Sequence, residues 1–200
     1  MSLEILKLSS RQPDFDELLA KRTAWDEAGV DSIEVWVSEA IERVRAQGDE
    51  ALLDFTRELD RWEVSEASGL EVGEEEIEQA IAACASEELE ALKTAAERIE
   101  EYHSHQLQES WSYRDELGNL LGQQVSSIEK VGLYVPGGKA SYPSSVLMNA
   151  IPAKVAGVEQ MTMVTPTPGG EYNPLVFAAA RIAGVDRIFR VGGAQAIAAL

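Results

Sequence analysis

The chain has 200 residues, an apolar content of 45% and a formal net charge of −18 at pH 7. This length and composition allow a substantial core, whereas the acidic charge argues against nucleic acid or an anionic membrane as a partner. No apolar run approaches the roughly 18 residues of a membrane span, and the amino terminus lacks a signal-peptide pattern. We therefore expect a soluble, cytoplasmic protein.

The charge is unevenly distributed along the chain. Residues 1–130 carry 12 basic and 32 acidic side chains, whereas residues 131–200 carry 5 basic and 3 acidic ones. We interpret the acidic excess as the solvated surface of helices. The slightly basic, glycine-rich second part is compatible with an anionic small molecule such as a nucleotide.

Three helical patterns come first in chain order. The first begins near Pro13 and fades before Gly29. Either Asp31 or Ser32 is a suitable N-cap for the second, which keeps its apolar period up to a glycine at position 48. A third helix is predicted from Asp49 to about residue 59.

A long amphipathic helix follows, from about residue 74 to 102, with a break allowed near Ser86. Residues 111–113 and 120–128 then change the pattern to strand-like alternation on either side of Gly118 and Asn119, which predicts a hairpin. We place the boundary between two regions near the end of this hairpin: a helical region covers residues 1–125, and an α/β region covers residues 126–200.

The α/β region contains three short apolar runs, at residues 131–135, 160–164 and 187–191, and each ends at a glycine-rich turn. Their spacing of about 30 residues is the size of one βαβ unit, so the order βαβαβ and a parallel sheet are expected. The three turns, at residues 136–138, 165–170 and 192–193, then share the carboxyl edge of the sheet, where open α/β sheets bind ligands.

Helix signals separate these strands. Asn173 is a good N-cap with Pro174 at the first helical position, and Gly184 is placed to end that helix. The preceding helix, at about residues 144–156, contains Pro152, which is expected to kink it.

The common catalytic and phosphate-binding motifs are absent. The chain contains neither G-x-G-x-x-G after a strand nor G-x-x-x-x-G-K-[ST], and the single cysteine, Cys84, excludes a disulfide framework. The only histidines, His103 and His105, lie two positions apart on a helix and do not face one ligand. We expect both histidines to face solvent.

Two of the glycine turns carry residues suited to ligand binding. Tyr134 and Lys139 flank the first turn, where glycines allow close backbone approach and a phenol can stack on a flat ring. Gln195 follows the third turn at the start of a predicted helix, whose free N–H groups favour an anion. A tight structural turn is the competing interpretation at each position, and three turns at one edge favour a site.

Three segments of the sequence resemble motifs of the histidinol dehydrogenase family. They are GLYVPGG at residues 132–138, AIPAKVAGV at residues 150–158 and GGAQAIAAL at residues 192–200. The resemblance is strong from about residue 128 and looser over the acidic helices. It implies an incomplete Rossmann-like sheet of the histidinol dehydrogenase and aldehyde dehydrogenase-like type, preceded by the acidic helical region.

The resemblance also implies a function. Family members are homodimers that use zinc and two NAD in turn to oxidise L-histidinol through L-histidinal to L-histidine. Tyr134 matches the tyrosine of GLYVPGG that contacts NAD, and Gln195 matches the glutamine of GGAQAIAAL that does the same. The family holds NAD in an unusual way, which accounts for the missing G-x-G-x-x-G.

The family's chain is roughly twice as long as this one. Its zinc ligands, its Glu-His acid/base pair and its substrate-binding residues all match positions after Leu200, so no catalytic or metal-binding residue is assigned within these 200 residues. We expect an amino-terminal part that lacks the carboxyl-terminal half and is inactive alone. A stand-alone nucleotide-binding module, a structural domain without a ligand, or a dehydrogenase of another amino or sulfonated alcohol are the alternatives.

Overall fold

A computed structural model describes residues 7–24, 27–138 and 141–200, without the side chains of residues 27–31. The chain divides into two compact units, one ending at Glu39 and the other running from Ala40 to Leu200. No helix in the described ranges has the length and apolarity to cross a membrane.

The first unit contains helix α1 (Phe15–Thr23) and the beginning of helix α2 (Glu27–Gln47). Helix α1 has no buried residue. The predicted start of α2 at Asp31 or Ser32 is wrong, because the helix already begins at Glu27. Gly29 lies inside the helix, where one glycine costs only about 1 kcal/mol relative to alanine.

The second unit continues with helix α3 (Asp49–Phe55), which passes into a π-helical turn (Thr56–Asp60). A short 3₁₀ turn precedes helix α4 (Glu74–Ala83), and helix α5 (Ser86–Ser104) follows after a two-residue break. The allowed break near residue 86 is thereby confirmed.

The predicted hairpin is confirmed. Strand β1 (Trp111–Arg114) pairs antiparallel with strand β2 (Leu120–Gln123). The connecting turn is held by Asp115, whose carboxylate accepts hydrogen bonds from the backbone N–H and the side-chain amide of Asn119, each at 2.8 Å. All residues of both strands are exposed.

The predicted parallel sheet is also confirmed, with strands β3 (Lys130–Tyr134), β4 (Gln160–Val164) and β5 (Arg187–Phe189) in the order β3-β4-β5. Helices α6 (Pro143–Val155) and α7 (Pro174–Ala183) connect them, so the order is βαβαβ. Helix α8 (Gly193–Ala199) follows β5.

Helix α7 has the ends that its sequence predicts. The Asn173 side chain accepts a hydrogen bond from the Leu175 N–H at 2.9 Å, and Gly184 adopts a φ of +80° after the last turn. Pro152 lies inside α6.

The two faces of the sheet bury different clusters. Leu133, Met163 and Ile188 pack on one face with α6 and α7, and helices α4 and α5 extend that layer. Val164 and Val191 pack on the other face with residues of α3 and α8. The helical segments before the hairpin therefore contribute to both layers that hold the sheet, while the boundary at residue 125 stays a prediction.

Candidate cofactor site

The three glycine turns converge on Pro166, at the carboxyl edge of the sheet. A Cβ atom placed on Gly137 of the first turn would lie 1.9 Å from the Pro166 carbonyl oxygen. One placed on Gly192 of the third turn would lie 2.5 Å from the Pro166 Cβ. Both positions therefore require glycine, because a Cβ atom would collide with the Pro166 carbonyl oxygen at one and with the rigid Pro166 ring at the other. The predicted clustering of the turns is confirmed.

The first and second turns also meet at a second point. Gly138 has a φ of +78°, and its Cβ position lies 3.3 Å from Cγ of Pro168. The backbone of the first turn is thus fixed by both its own left-handed conformation and the prolines beside it. Lys139, which the sequence placed at this turn, lies outside the described residues.

Tyr134, at the end of β3, contacts the third turn, which follows β5. Its hydroxyl oxygen accepts a hydrogen bond from the Gly193 N–H at 3.2 Å, across the end of β4. The side chain is 37% exposed, so its ring remains available to a ligand. A tyrosine hydroxyl that accepts one hydrogen bond still has its own hydrogen to donate.

Gln195 lies at the same turn but is almost fully covered, with 1% exposure. Its Oε1 has no hydrogen-bond partner among the described residues, and it lies 2.5 Å from the position that a Cβ on Gly193 would take. An unsatisfied buried acceptor costs about 1–3 kcal/mol. The structure therefore brings the two predicted residues, Tyr134 and Gln195, together at Gly193.

Other unsatisfied polar atoms lie close to this edge. Within the described ranges, the buried side-chain atoms without a partner are Gln195 Oε1, Thr167 Oγ1, Arg190 Nε and Thr56 Oγ1. Thr167 belongs to the second turn, Arg190 follows β5, and Thr56 begins the π-helical turn, which contacts residues 168–170. Such groups are rare in folded proteins and mark places to look for function.

Sequence reasoning missed the contribution of the helical region to this edge. Trp62 packs on the second turn, with its Nε1 2.7 Å from the Cβ position of Gly170. The Arg190 guanidinium lies 4.4 Å from the Trp62 ring centroid and donates to Glu76 at 2.7 Å. No local signal predicts these contacts, because they join residues more than 100 positions apart.

The π-helical turn ends in a strained backbone. Arg61 has a φ of +53°, a left-handed conformation that is uncommon outside glycine. Burial raises the pKa of the preceding Asp60 carboxyl above its ordinary value. π-Helical turns occur frequently at functional sites, although here the sequence offered no indication of one.

The two histidines lie at the end of α5. His105 is exposed as expected, whereas His103 is half-buried, with its Nδ1 2.6 Å from Gln106 Oε1. The described residues contain no group of three His, Cys, Asp or Glu side chains that could hold a metal ion.

A separate cleft of about 470 Å³ lies on the face of the sheet against which α3 and α8 pack, and residues of both helices line it. Its lining includes Lys130 and Gln160 at the amino ends of their strands and the apolar side chains of Leu52 and Phe189. We place the candidate site at the carboxyl edge instead, because the glycine turns and both predicted residues meet there.

The sequence model of a family described as histidinol dehydrogenase matches residues 23–200. The chain belongs to the histidinol dehydrogenase family. It is 49% identical over 198 residues to a histidinol dehydrogenase of Hydrogenovibrio crunogenus, covering 99% of this chain and 46% of the relative. It is 53% identical over 196 residues to one of Chromobacterium violaceum, covering 98% and 45% respectively.

Solved structures agree with this membership in the histidinol dehydrogenase family. A crystal structure of histidinol dehydrogenase from Elizabethkingia anophelis superposes with a TM-score of 0.76 at 31% identity, covering 88% of this chain and 39% of that one. The resemblance and the α/β fold predicted from the sequence are confirmed. The chain spans about half the length of the curated relatives it matches.

Proposed function

We propose that this chain supplies the first part of the NAD-binding domain, over residues 126–200, of a histidinol dehydrogenase. The whole enzyme oxidises L-histidinol through L-histidinal to L-histidine with two NAD in turn. Family membership over residues 23–200 supports the reaction. The observation that carries the binding role is the convergence of three glycine turns, Tyr134 and Gln195 at one sheet edge.

Tyr134 and Gln195 are proposed as contacts to NAD. The exposed Tyr134 ring can lie against a flat ring, and its hydroxyl hydrogen can be donated to a ligand oxygen. Gln195 Oε1 needs a donor, which the amide and amino groups of NAD offer. Because Gln195 is 1% exposed, its contact with NAD requires the turn at Gly192 and Gly193 to move, and glycines permit such movement at low cost.

NAD supplies the hydride acceptor when it is bound, and the residues of this chain orient it and exclude water. The zinc ligands and the Glu-His acid/base pair that the resemblance implies are proposed in polypeptide outside these 200 residues. Support comes from the relatives, of whose length this chain covers about half. No catalytic step is assigned here to zinc, because no described group of side chains fits it.

The proposal also covers the oligomeric state, the location and the binding partners of the enzyme. We expect a cytoplasmic homodimer that acts on a small molecule and binds neither nucleic acid nor membrane. The net charge of −18 supports the exclusion of polyanions, since like charges repel at the surface.

The test is NADH production from L-histidinol with zinc present, measured on the full-length product of the gene and on the 200-residue chain. We expect turnover from the full-length product and none from the chain alone. Turnover by a sample whose mass confirms 200 residues would overturn the assignment of the catalytic groups.

If a folded full-length product forms no NADH from L-histidinol, the assignment of L-histidinol as the substrate is wrong. Other amino alcohols and sulfonated diols would then be assayed, since related dehydrogenases act on them. NAD binding without turnover on any alcohol would instead support a nucleotide-binding module.

A further inference from the structure

A second cleft opens at the carboxyl edge of the sheet, between the first turn and the start of α7. It has a volume of about 720 Å³, and its lining includes Gly138, Ser141, Glu171, Tyr172 and Asn173. Apart from Gly138, which belongs to the first glycine turn, these residues have no role in the function proposed above. The cleft lies where open α/β sheets bind their ligands, beside the turns after β3 and β4.

Asn173 and Ser141 form a polar wall of this cleft, and the hydrogen bonds of Asn173 hold this wall in place. Asn173 Nδ2 donates to Ser141 Oγ at 2.7 Å, while its Oδ1 accepts from the Leu175 N–H at 2.9 Å. Ser141 therefore receives one hydrogen bond and keeps its own hydroxyl hydrogen for a ligand. The stacking of Tyr172 on Phe177, with centroids 4.4 Å apart, fixes the other side of the wall.

Thr167 provides an independent sign of a ligand. It is 2% exposed, and its Oγ1 has no hydrogen-bond partner among the described residues. Thr167 lines a narrow cavity of about 10 Å³ that shares Gly138, Ser141 and Asn173 with the cleft. A cavity of this size accommodates at most one water-sized group, so it suits a single hydroxyl or a bridging water beside the cleft.

The charges around the cleft select among ligands. Helices α6 and α7 both begin beside it, and their N-terminal dipole ends raise the local potential. Glu171, an exposed residue of the lining, places a carboxylate there, and it makes no ion pair with any described residue. A carboxylate among hydroxyl and amide groups can accept hydrogen bonds from a diol, whereas it repels a phosphate.

The position of Glu171 in the topology matches this chemistry. In doubly wound sheets the pyrophosphate lies at the turn after the first strand, and a carboxylate further along the chain binds the ribose 2′-hydroxyl. Here the first turn follows β3, and Glu171 follows β4, its neighbour in the sheet. The cleft contains residues from both loops.

We infer that this cleft binds a ribose of NAD, with Glu171 accepting hydrogen bonds from the vicinal hydroxyls, and that Glu171 selects NAD over NADP. The inference rests on the proposed NAD-binding function and adds the specificity of that site. Ser141 and Thr167 supply the remaining polar contacts to the sugar, directly or through one water.

The test measures the Kd of NAD and NADP by titration calorimetry on the full-length product, its Glu171→Gln and Glu171→Lys variants, and a matched control, Glu159→Gln. Glu159 is an exposed carboxylate at the opposite end of β4. We expect Glu171→Gln to weaken NAD at least tenfold, as the loss of a charged hydrogen-bond acceptor does. Glu171→Lys should tighten NADP, and Glu159→Gln should change neither Kd by more than twofold.

The outcomes separate the two claims. If the wild type binds NAD and both Glu171 variants keep its NAD and NADP affinities, the ribose subsite is wrong while the proposed function stands. If the folded wild type does not bind NAD, both are wrong. Glu171 is exposed, so the variants should fold, and an unchanged thermal midpoint would verify it.

Discussion

The Tyr134 hydroxyl oxygen accepts a hydrogen bond from the Gly193 N–H at 3.2 Å, and this contact joins the end of β3 to the turn after β5. The two residues are 59 positions apart and lie on either side of β4. Tyr134 therefore both presents a ring at the edge and fixes the turn that carries Gln195. Loss of its hydroxyl should affect the binding of NAD through that turn.

Replacing Tyr134 by phenylalanine keeps the ring and removes this hydrogen bond. We expect the KM for NAD of the full-length product to rise by about two- to tenfold, in line with one neutral hydrogen bond, with a smaller change in kcat. Tyr102→Phe is the control, because Tyr102 is 65% exposed on α5. An unchanged KM in Tyr134→Phe would show that the hydroxyl has no role in binding.

Gln195→Leu should have opposite effects on stability and on binding. The substitution removes a buried acceptor without a described partner, so we expect the thermal midpoint to stay the same or rise. We also expect NAD affinity to fall at least tenfold, if Oε1 accepts from the cofactor. A lower midpoint with unchanged NAD affinity would instead make Gln195 a structural residue. Thermal unfolding and titration calorimetry on the full-length product distinguish these results.

Gly137→Ala should destabilise the protein severely. The added Cβ would lie 1.9 Å from the Pro166 carbonyl oxygen, a backbone atom that cannot move without displacing the second turn. We expect a loss of about 3 kcal/mol or more, the upper range for overpacking. Gly73→Ala is the matched control, since no atom lies within 4 Å of its Cβ position and its φ is −74°. Equal denaturation midpoints for both variants would contradict the tight convergence at Pro166.

Asp60 should make stability depend on pH in a predictable direction. Burial raises the pKa of this carboxyl above its ordinary value of 3.8, so the folded state holds the proton more tightly than the unfolded state. Its contribution to stability is therefore fully present below pH 3.8 and is lost as pH rises through the folded pKa.

Asp60→Asn should accordingly raise the thermal midpoint at pH 7, and the gain should shrink as the pH falls towards 4. Glu58→Gln, an exposed carboxylate in the same π-helical turn, should show no such gain. A gain for Asp60→Asn that does not change with pH would point to packing rather than to the buried charge.

Much of the fold follows from local signals in the sequence. The ends of α7 are set by Asn173 and Gly184, and the three strands by short apolar runs that stop at glycine turns. These features are predictable because each depends on a few neighbouring residues. The predicted start of α2 was wrong because the prediction also relied on a local signal. It treated Gly29 as a helix break, whereas the helix begins at Glu27 and includes that glycine.

The sequence by itself determined the family, the βαβαβ order and the two residues, Tyr134 and Gln195, that the resemblance implies for NAD. Only the tertiary structure decided that the turns meet at Pro166, that Gln195 is covered, and that the π-helical turn packs on the second glycine turn. These relationships join segments that are distant in the chain. They depend on how the layers pack and on which atoms collide, and local patterns of hydrophobicity and turn residues do not encode that.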